Sequence, residues 1–288
     1  MMLTGLFVPL ITPFDGEGGV DGSALEGLAH SFLDAGAGGL VALGTTSEVS
    51  ALTPGERGVV LEVVAGVCRD RGHPLLVGAD SPGALASLGG KNVLAALTVV
   101  PPFVRPGEAG VIAHFRALAA ASPVPLVVYD VPARTGQPLS AAALRELAAI
   151  PGVVGVKHAP GGITADTVAL LADPPPNFAV LGGDDAFLGP LLAMGAAGAI
   201  TASAHCATDR YARLIDAWRT DAWGEGVLDD ARALGNTLSR LSTALFAAPN
   251  PTVIKGVLHA EGRIPTPDVR LPLLPADPAL VAAALTLR

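Results

Sequence analysis

The sequence predicts an α/β protein that folds as a (β/α)8 TIM barrel followed by a small helical C-terminal domain. Eight short apolar runs rich in β-branched residues recur along the chain, each followed by a turn and an Ala/Leu-rich amphipathic stretch. This alternation is typical of a parallel sheet covered by helices. Half of the 288 residues are hydrophobic, which is enough to bury a large core.

The predicted strands are short and lie within the first 202 residues. They cover 6–12, 39–44, 74–79, 95–100, 125–130, 153–158, 178–183 and 198–202. Helix-start signals precede three of the intervening helices: Asp21 before 24–35, Thr53 and Pro54 before 55–71, and Ser140 before 141–150. The helix between residues 81 and 91 is predicted to be the weakest, because this stretch is short and rich in glycine.

The alternation stops after Ala202, and the remaining chain reads as helices alone. They are predicted over 209–219, 225–245, 252–261 and 278–287. Proline-rich joints at 248–251 and 265–267 predict rigid corners between them. We therefore expect a catalytic barrel over 1–222 and a helical appendage over 223–288.

Composition excludes several classes of function. The net charge is −8 and no basic cluster is present, which argues against a nucleic-acid partner. No apolar run reaches the roughly 18 residues that a membrane span needs. The N-terminal residues lack a basic stretch and a cleavage signature, so a cytoplasmic protein is expected. Cys68 and Cys206 lie among small apolar residues and are expected to be buried free thiols.

The apolar run 152–156 leads directly into Lys157, one of three lysines in the chain. A lysine at the end of a buried strand loses hydration, which disfavours its ammonium form. The neutral amine is a nucleophile whose natural electrophile is a carbonyl, and the product is a Schiff base. A lysine that extends from the strand end to solvent is an equally good interpretation of this stretch alone.

Other polar residues follow predicted strands at the end where barrel enzymes place their chemistry. Gly44, Thr45 and Thr46 follow the second strand, and their donors suit a carboxylate that the glycine lets approach closely. A simple turn into the next helix is the alternative for the threonines. Tyr129 ends the fifth strand, where its hydroxyl could relay protons or merely cap the strand. Arg134 could bind a second carboxylate or lie on the surface.

Two acidic residues and two histidines are further candidates for metal binding or catalysis. Asp184 and Asp185 follow the seventh strand, and helix capping is favoured over metal binding because adjacent strand residues point to opposite faces. His205 follows the eighth strand, and a hydrogen-bonding structural role is favoured over catalysis. His158 follows Lys157 directly.

In order and spacing, these motifs resemble the class I pyruvate-dependent lyases, a family that includes dihydrodipicolinate synthase and N-acetylneuraminate lyase. The resemblance covers essentially the whole chain and rests on Gly44-Thr45-Thr46-x-Glu48, Tyr129-x-Val131-Pro132-x-Arg134-Thr135-Gly136, Gly155-Val156-Lys157, Gly183-Asp184-Asp185, Gly195-x-x-Gly198-x-Ile200, Pro249-Asn250-Pro251 with Lys255, and Arg270-Leu271-Pro272-Leu273. Arg134-Thr135-Gly136 and the paired aspartates favour the dihydrodipicolinate synthase branch.

The resemblance implies a role for each candidate residue. Lys157 would form an imine with pyruvate, Thr45 and Thr46 would hold the carboxylate, and Thr45 and Tyr129 would move protons. Arg134 would bind the carboxylate of aspartate semialdehyde, while Ile200 and Gly183 would line the pyruvate pocket. No metal or cofactor is implied, because the protonated imine is itself the electron sink. Family members are commonly homotetramers, so a homo-oligomer is expected.

Two other functions remain open from the sequence. A related aldolase would release pyruvate from 4-hydroxy-2-oxoglutarate or a 2-keto-3-deoxy sugar acid, again through Lys157. A catalytically silent barrel would bind a 2-oxo acid as a sensor or scaffold.

The chain departs from the family pattern at several positions. Phe103 stands where the family synthase has a tyrosine contributed across a dimer interface, so the proton relay lacks one hydroxyl. The stretch after the third strand is several residues shorter than usual, Ser47 replaces a glycine and His158 replaces a common acidic residue. Val49, Pro54 and Pro102 stand where polar residues would bind allosteric lysine. We therefore expect no feedback inhibition by lysine.

Overall fold

The computed structural model describes residues 3–219 and 226–288. Eight parallel strands close into a barrel in which each strand pairs with its neighbours in sequence and β8 pairs with β1. The strands are β1 (Gly5–Pro9), β2 (Gly39–Ala42), β3 (Leu75–Gly78), β4 (Ala95–Val99), β5 (Leu126–Asp130), β6 (Val153–His158), β7 (Ala179–Gly182) and β8 (Gly198–Ile200). All eight predicted strands are confirmed, and most end one to three residues earlier than predicted because the chain turns out of the sheet there.

Helices surround the barrel and continue beyond it. They are α1 (Gly22–Asp34), α2 (Pro54–Arg71), α3 (Pro82–Ala86), α4 (Gly107–Ala121), α5 (Pro132–Thr135), α6 (Ala141–Ala148), α7 (Ala165–Ala172), α8 (Leu188–Ala193), α9 (Thr208–Arg219), α10 (Val227–Leu245), α11 (Thr252–Ala260) and α12 (Pro278–Leu285). The predicted boundary between residues 222 and 223 lies outside the described residues, as does the predicted start of a helix at Glu225. None of the described helices is long and apolar enough to cross a membrane.

The predicted helix starts are confirmed by their caps. The side chains of Asp21 and Ser140 accept hydrogen bonds from the backbone N–H groups of Ala24 and Ala143. Thr53 and Glu56 form a reciprocal capping box at the start of α2. The predicted weak helix, α3, has only five residues, so it leaves part of the barrel wall between α2 and α4 thinly covered.

The core has two layers. Side chains inside the barrel form one apolar cluster: Leu3, Phe7, Val41, Leu76, Ala95, Leu97, Val127, Tyr129, Val131, Ala159, Ala179, Leu181 and Ile200. A larger cluster lies between the strands and the helices. Both cysteines are buried and free, as expected, and burial raises the pKa of each thiol to about 12.

His205 has the predicted structural role, which is to form hydrogen bonds. Its Nε2 accepts a hydrogen bond from the Ile11 backbone N–H at 3.1 Å, and its Nδ1 lies 2.8 Å from the carbonyl oxygen of Ala202. Burial lowers the pKa of this imidazole to about 3, so the ring is neutral around neutral pH. The histidine therefore joins the segment after β1 to the turn after β8.

The C-terminal segment returns to the barrel and is fixed there by charged side chains. Lys255, on α11, lies with its Nζ 2.6 Å from Glu48 Oε1, and both side chains are buried. Lys255 also donates to the carbonyl oxygen of Asp268 at 2.7 Å. Burial lowers the pKa of Lys255 to about 8, an effect that the Glu48 carboxylate opposes.

A second ion pair lies beside the first. Arg270 contacts both carboxylate oxygens of Glu56 on α2 and donates to the carbonyl oxygens of Ala51 and Gly18. Its guanidinium lowers the pKa of Glu56 to about 2. The helical appendage and the loop after β2 are therefore joined at two neighbouring points.

We expect Lys255→Met to destabilise the protein by about 3–5 kcal/mol, because the buried Glu48 carboxylate would lose its counter-charge. Equilibrium denaturation measures the change in the free energy of unfolding. Lys91→Met is the matched control, since Lys91 is exposed, and it is expected to stay within about 0.5 kcal/mol of the parent protein. Equal effects of the two substitutions would contradict a stabilising role for the buried pair.

Candidate active site

The C-terminal ends of the strands bring the predicted lysine and tyrosine together. Tyr129 on β5 and Lys157 on β6 are register partners, so their side chains point in the same direction on adjacent strands. Lys157 is 5% exposed and Tyr129 is 7% exposed. The Nζ atom of Lys157 lies over the phenol ring, 4.3 Å from its centroid. The structure therefore rules out a lysine that extends to solvent and places the amine inside the barrel.

Gly183, directly after β7, shapes the space around this lysine. Its backbone N–H donates to the carbonyl oxygen of His158 at 2.9 Å. A Cβ atom at this position would lie 2.8 Å from Cγ and 3.0 Å from Cε of Lys157, and 3.0 Å from Cβ of Ala159. These separations are too short for carbon atoms, so the observed course of the lysine side chain requires glycine at residue 183.

The turn after β2 carries the two predicted carboxylate-binding threonines. Residues Thr45–Ser47 form a single 3₁₀ turn that begins at Gly44 and is followed by Glu48 in the left-handed region, at φ 56°. The turn is closed by Ser47, whose hydroxyl donates to the carbonyl oxygen of Gly44 at 2.7 Å. Neither threonine hydroxyl caps this turn.

A cavity of about 580 Å³ opens beside this turn. Gly44, Thr45 and Tyr129 line it, and the rest of its wall comes from the start of α2, the short α3 and neighbouring strands. Three charged residues line it as well: Arg57, Asp80 and Lys91. The sequence interpretation did not include these three. The shortened stretch after β3 was the available signal, because a short α3 uncovers the wall beside Thr45.

The remaining predicted residues lie in different surroundings. Ile200 is the last residue of β8 and is fully buried in the cluster inside the barrel. Arg134 lies on α5, where it is exposed to solvent. Thr46 is 2% exposed, and its Oγ1 accepts a hydrogen bond from Asn250 Nδ2 at 3.0 Å. The structure thus brings five predicted residues to the C-terminal end of the barrel strands: Thr45, Tyr129, Lys157, Gly183 and Ile200. Arg134 follows β5 at the same end but is exposed to solvent.

The prediction that Asp184 and Asp185 cap a helix is wrong. Asp184 Oδ2 accepts from the backbone N–H groups of Gly161 and Gly162, at 2.6 and 3.0 Å. Asp185 Oδ2 accepts from the backbone N–H of Ser203 at 2.6 Å. Burial raises the pKa of both carboxyl groups. The two aspartates instead join the end of β7 to the loops that follow β6 and β8.

His158 forms hydrogen bonds on the outer side of the barrel, next to the strand ends that carry Lys157 and Tyr129. Its Nδ1 lies 3.0 Å from Asp130 Oδ2 and its Nε2 lies 2.9 Å from Thr167 Oγ1, and all three side chains are buried. Because His158 and Asp130 adjoin Lys157 and Tyr129 in sequence, this contact holds the two strand ends in register.

Phe103 lies in the loop after β4 and is 90% exposed, with a positive φ of 68°. The neighbouring Val104 is 75% exposed. The aromatic ring therefore points away from this chain's own core.

Known proteins resemble this chain in sequence and in fold. The chain is 34% identical over 283 residues to the 4-hydroxy-tetrahydrodipicolinate synthase of Syntrophus aciditrophicus, covering 94% of this chain and 92% of the relative. The chloride-inhibited dihydrodipicolinate synthase of Acinetobacter baumannii, solved in complex with pyruvate, superposes with a TM-score of 0.91 at 30% identity, covering 99% and 98% of the two chains.

A further solved structure, described as a monomeric dihydrodipicolinate synthase variant, gives a TM-score of 0.91 at 26% identity and covers 99% of this chain and 96% of its own. The family described as "Dihydrodipicolinate synthetase family" matches residues 2–279. With the barrel, the buried lysine and this match over nearly the whole sequence, the chain belongs to the dihydrodipicolinate synthetase family.

Proposed function

We propose that the protein is a 4-hydroxy-tetrahydrodipicolinate synthase, which condenses pyruvate with L-aspartate semialdehyde through a Schiff base on Lys157. The observation that carries the proposal is the Lys157 amine, buried over Tyr129 at the end of β6 in a chain of this family. A binding-only barrel has no need of a buried amine beside a phenol, so the silent-barrel hypothesis is disfavoured.

The proposed reaction begins with attack of the Lys157 Nζ atom on the C2 carbonyl of pyruvate. The Nζ–C2 bond forms and the carbonyl oxygen leaves as water, which gives a protonated imine. Loss of a proton from the methyl group then gives an enamine that attacks the aldehyde carbon of the second substrate. The imine nitrogen accepts the electron pair during proton loss, so the chemistry needs no metal or cofactor.

The neighbouring residues would move protons and orient the two substrates. Tyr129 and Thr45 line the same cavity, and their hydroxyls would transfer protons to and from the reacting carbonyl groups. The Gly44-Thr45-Thr46 turn would bind the carboxylate of pyruvate. Ile200 and Gly183 would line the pocket around the pyruvate methyl group. Arg134, being exposed, is accessible to the carboxylate of the incoming semialdehyde.

Phe103 leaves the proton relay of this chain one hydroxyl short. General acid–base catalysis of this kind is worth roughly 10²–10⁴-fold, so we expect a water molecule to take that place. The exposed Phe103 and Val104 are apolar side chains that a second copy of the chain would cover. We therefore expect a homo-oligomer.

The proposed function is tested by intact mass spectrometry after borohydride reduction in the presence of pyruvate. The parent protein should gain one pyruvyl adduct, and Lys157→Ala should gain none. A coupled assay with L-aspartate semialdehyde should then show turnover. An adduct without turnover would move the assignment to a 2-oxo-acid aldolase, and a parent protein without an adduct would contradict both enzymatic assignments.

Gly183→Ala should slow adduct formation with pyruvate by about 100-fold, because the new Cβ would displace the Lys157 side chain. The measurement is the rate of borohydride-trapped adduct formation at saturating pyruvate. Gly27→Ala is the matched control, since a Cβ on this α1 residue meets no atom within 4 Å. Equal adduct rates for parent and Gly183→Ala proteins would show that Lys157 does not depend on this close contact.

We expect L-lysine at submillimolar concentration to leave the rate unchanged. Val49 and Pro54 line the cavity beside Thr45 and offer no side-chain hydrogen bonds. Arg57 and Lys91 line it too, and their two positive charges outnumber the single carboxylate of Asp80, so the charged groups lining the cavity disfavour a ligand with two ammonium groups. Initial rates over a lysine titration, with L-norleucine as the uncharged-side-chain control, measure the effect; inhibition by lysine alone would overturn this expectation.

A further inference from the structure

Asn250 connects the C-terminal segment to the turn that carries the threonines. It lies between α10 and α11, and its Nδ2 donates to Thr46 Oγ1 across a sequence separation of 204 residues. Within residues 3–219 and 226–288, Thr46 Oγ1 donates no hydrogen bond of its own. The contact is therefore one-directional, with the amide as donor and the hydroxyl as acceptor.

The direction of this hydrogen bond determines whether the Thr46 hydroxyl can donate its hydrogen to a ligand. A hydroxyl has one hydrogen to donate and two lone pairs to accept with. Because the Asn250 N–H occupies an acceptor position of Thr46, the hydroxyl hydrogen is left to point elsewhere. A carboxylate accepts hydrogen bonds and donates none when ionised, so the orientation that Asn250 imposes is the one that a substrate carboxylate requires.

The two segments are held together independently of this bond. Glu48, two residues after Thr46, pairs with Lys255, five residues after Asn250. The second carboxylate oxygen of Glu48 accepts from the backbone N–H of Arg270 at 2.7 Å. These contacts fix the distance between residues 46 and 250, so that the amide reaches the hydroxyl without further rearrangement.

We propose that Asn250 is a positioning residue for the 2-oxo-acid carboxylate and acts by orienting the hydroxyl of Thr46. The inference rests on the proposed function, since it requires pyruvate to bind with its carboxylate at the Gly44-Thr45-Thr46 turn. It assigns part of the substrate specificity to the C-terminal appendage, which otherwise lies outside the barrel.

The test is Asn250→Asp, a substitution of nearly the same shape whose ionised side chain only accepts hydrogen bonds. It would draw the Thr46 hydrogen away from the substrate and set a negative charge near the substrate carboxylate. We expect the pyruvate concentration for half-maximal adduct trapping to rise about 10- to 100-fold, as the loss of a hydrogen bond to a charged group predicts. Asn236→Asp, on the exposed side of α10, is the matched control and should leave that concentration unchanged.

Two further measurements separate orientation of Thr46 from a general loss of structure. Trapping of hydroxyacetone, a ketone without a carboxylate, should be equal in the parent and Asn250→Asp proteins. In a Thr46→Val background, Asn250→Leu, which adds no charge, should add less than about a threefold effect, because the hydroxyl on which Asn250 acts is gone. Asn250→Leu removes the donor without adding charge, and it should raise the half-maximal pyruvate concentration by about 10-fold if the aspartate variant does not fold.

The outcomes are distinguishable. Unchanged pyruvate trapping in both Asn250 variants would overturn the inference, as would an equal loss of pyruvate and hydroxyacetone trapping. A full effect of Asn250→Leu in the Thr46→Val background would also overturn it. A parent protein that traps no pyruvate would instead refute the proposed function on which the inference rests.

Discussion

The register between β5 and β6 is the constraint on which the site depends. Tyr129 and Lys157 are paired residues on adjacent parallel strands, so their side chains point into the barrel side by side. His158 and Asp130, the next pair, are hydrogen-bonded on the outer side and secure that register. Gly183 then allows the lysine stem to pass close to the backbone after β7. A nucleophilic amine is thus held by the sheet rather than by a flexible loop.

The two buried lysines show how surroundings separate a structural role from a chemical one. The ammonium group of Lys255 is paired with the Glu48 carboxylate at 2.6 Å and donates to a backbone carbonyl oxygen. Lys157 forms no ion pair with any residue that the structure describes, and its amine faces a phenol ring. The same residue type therefore fastens the appendage to the barrel at one position and is free for covalent chemistry at the other.

Local patterns in the sequence predict most of the fold and much of the site. The eight strands and the capped helices follow from β-branched runs and from Asp21, Thr53 and Ser140. The contacts that could not be predicted join residues far apart in sequence. Asp184 binds backbone groups 22 and 23 residues away instead of capping a helix, and Asn250 reaches Thr46 from the opposite end of the chain. The apolar run around Lys255 was the one signal that a second lysine is buried.

A crystal structure of the protein reduced with borohydride in the presence of pyruvate tests the central claim most directly. We expect continuous density from Lys157 Nζ to C2 of the substrate, with the carboxylate against the turn that begins at Gly44. An adduct on Lys91 or Lys255, or a carboxylate bound away from Thr45 and Thr46, would contradict it.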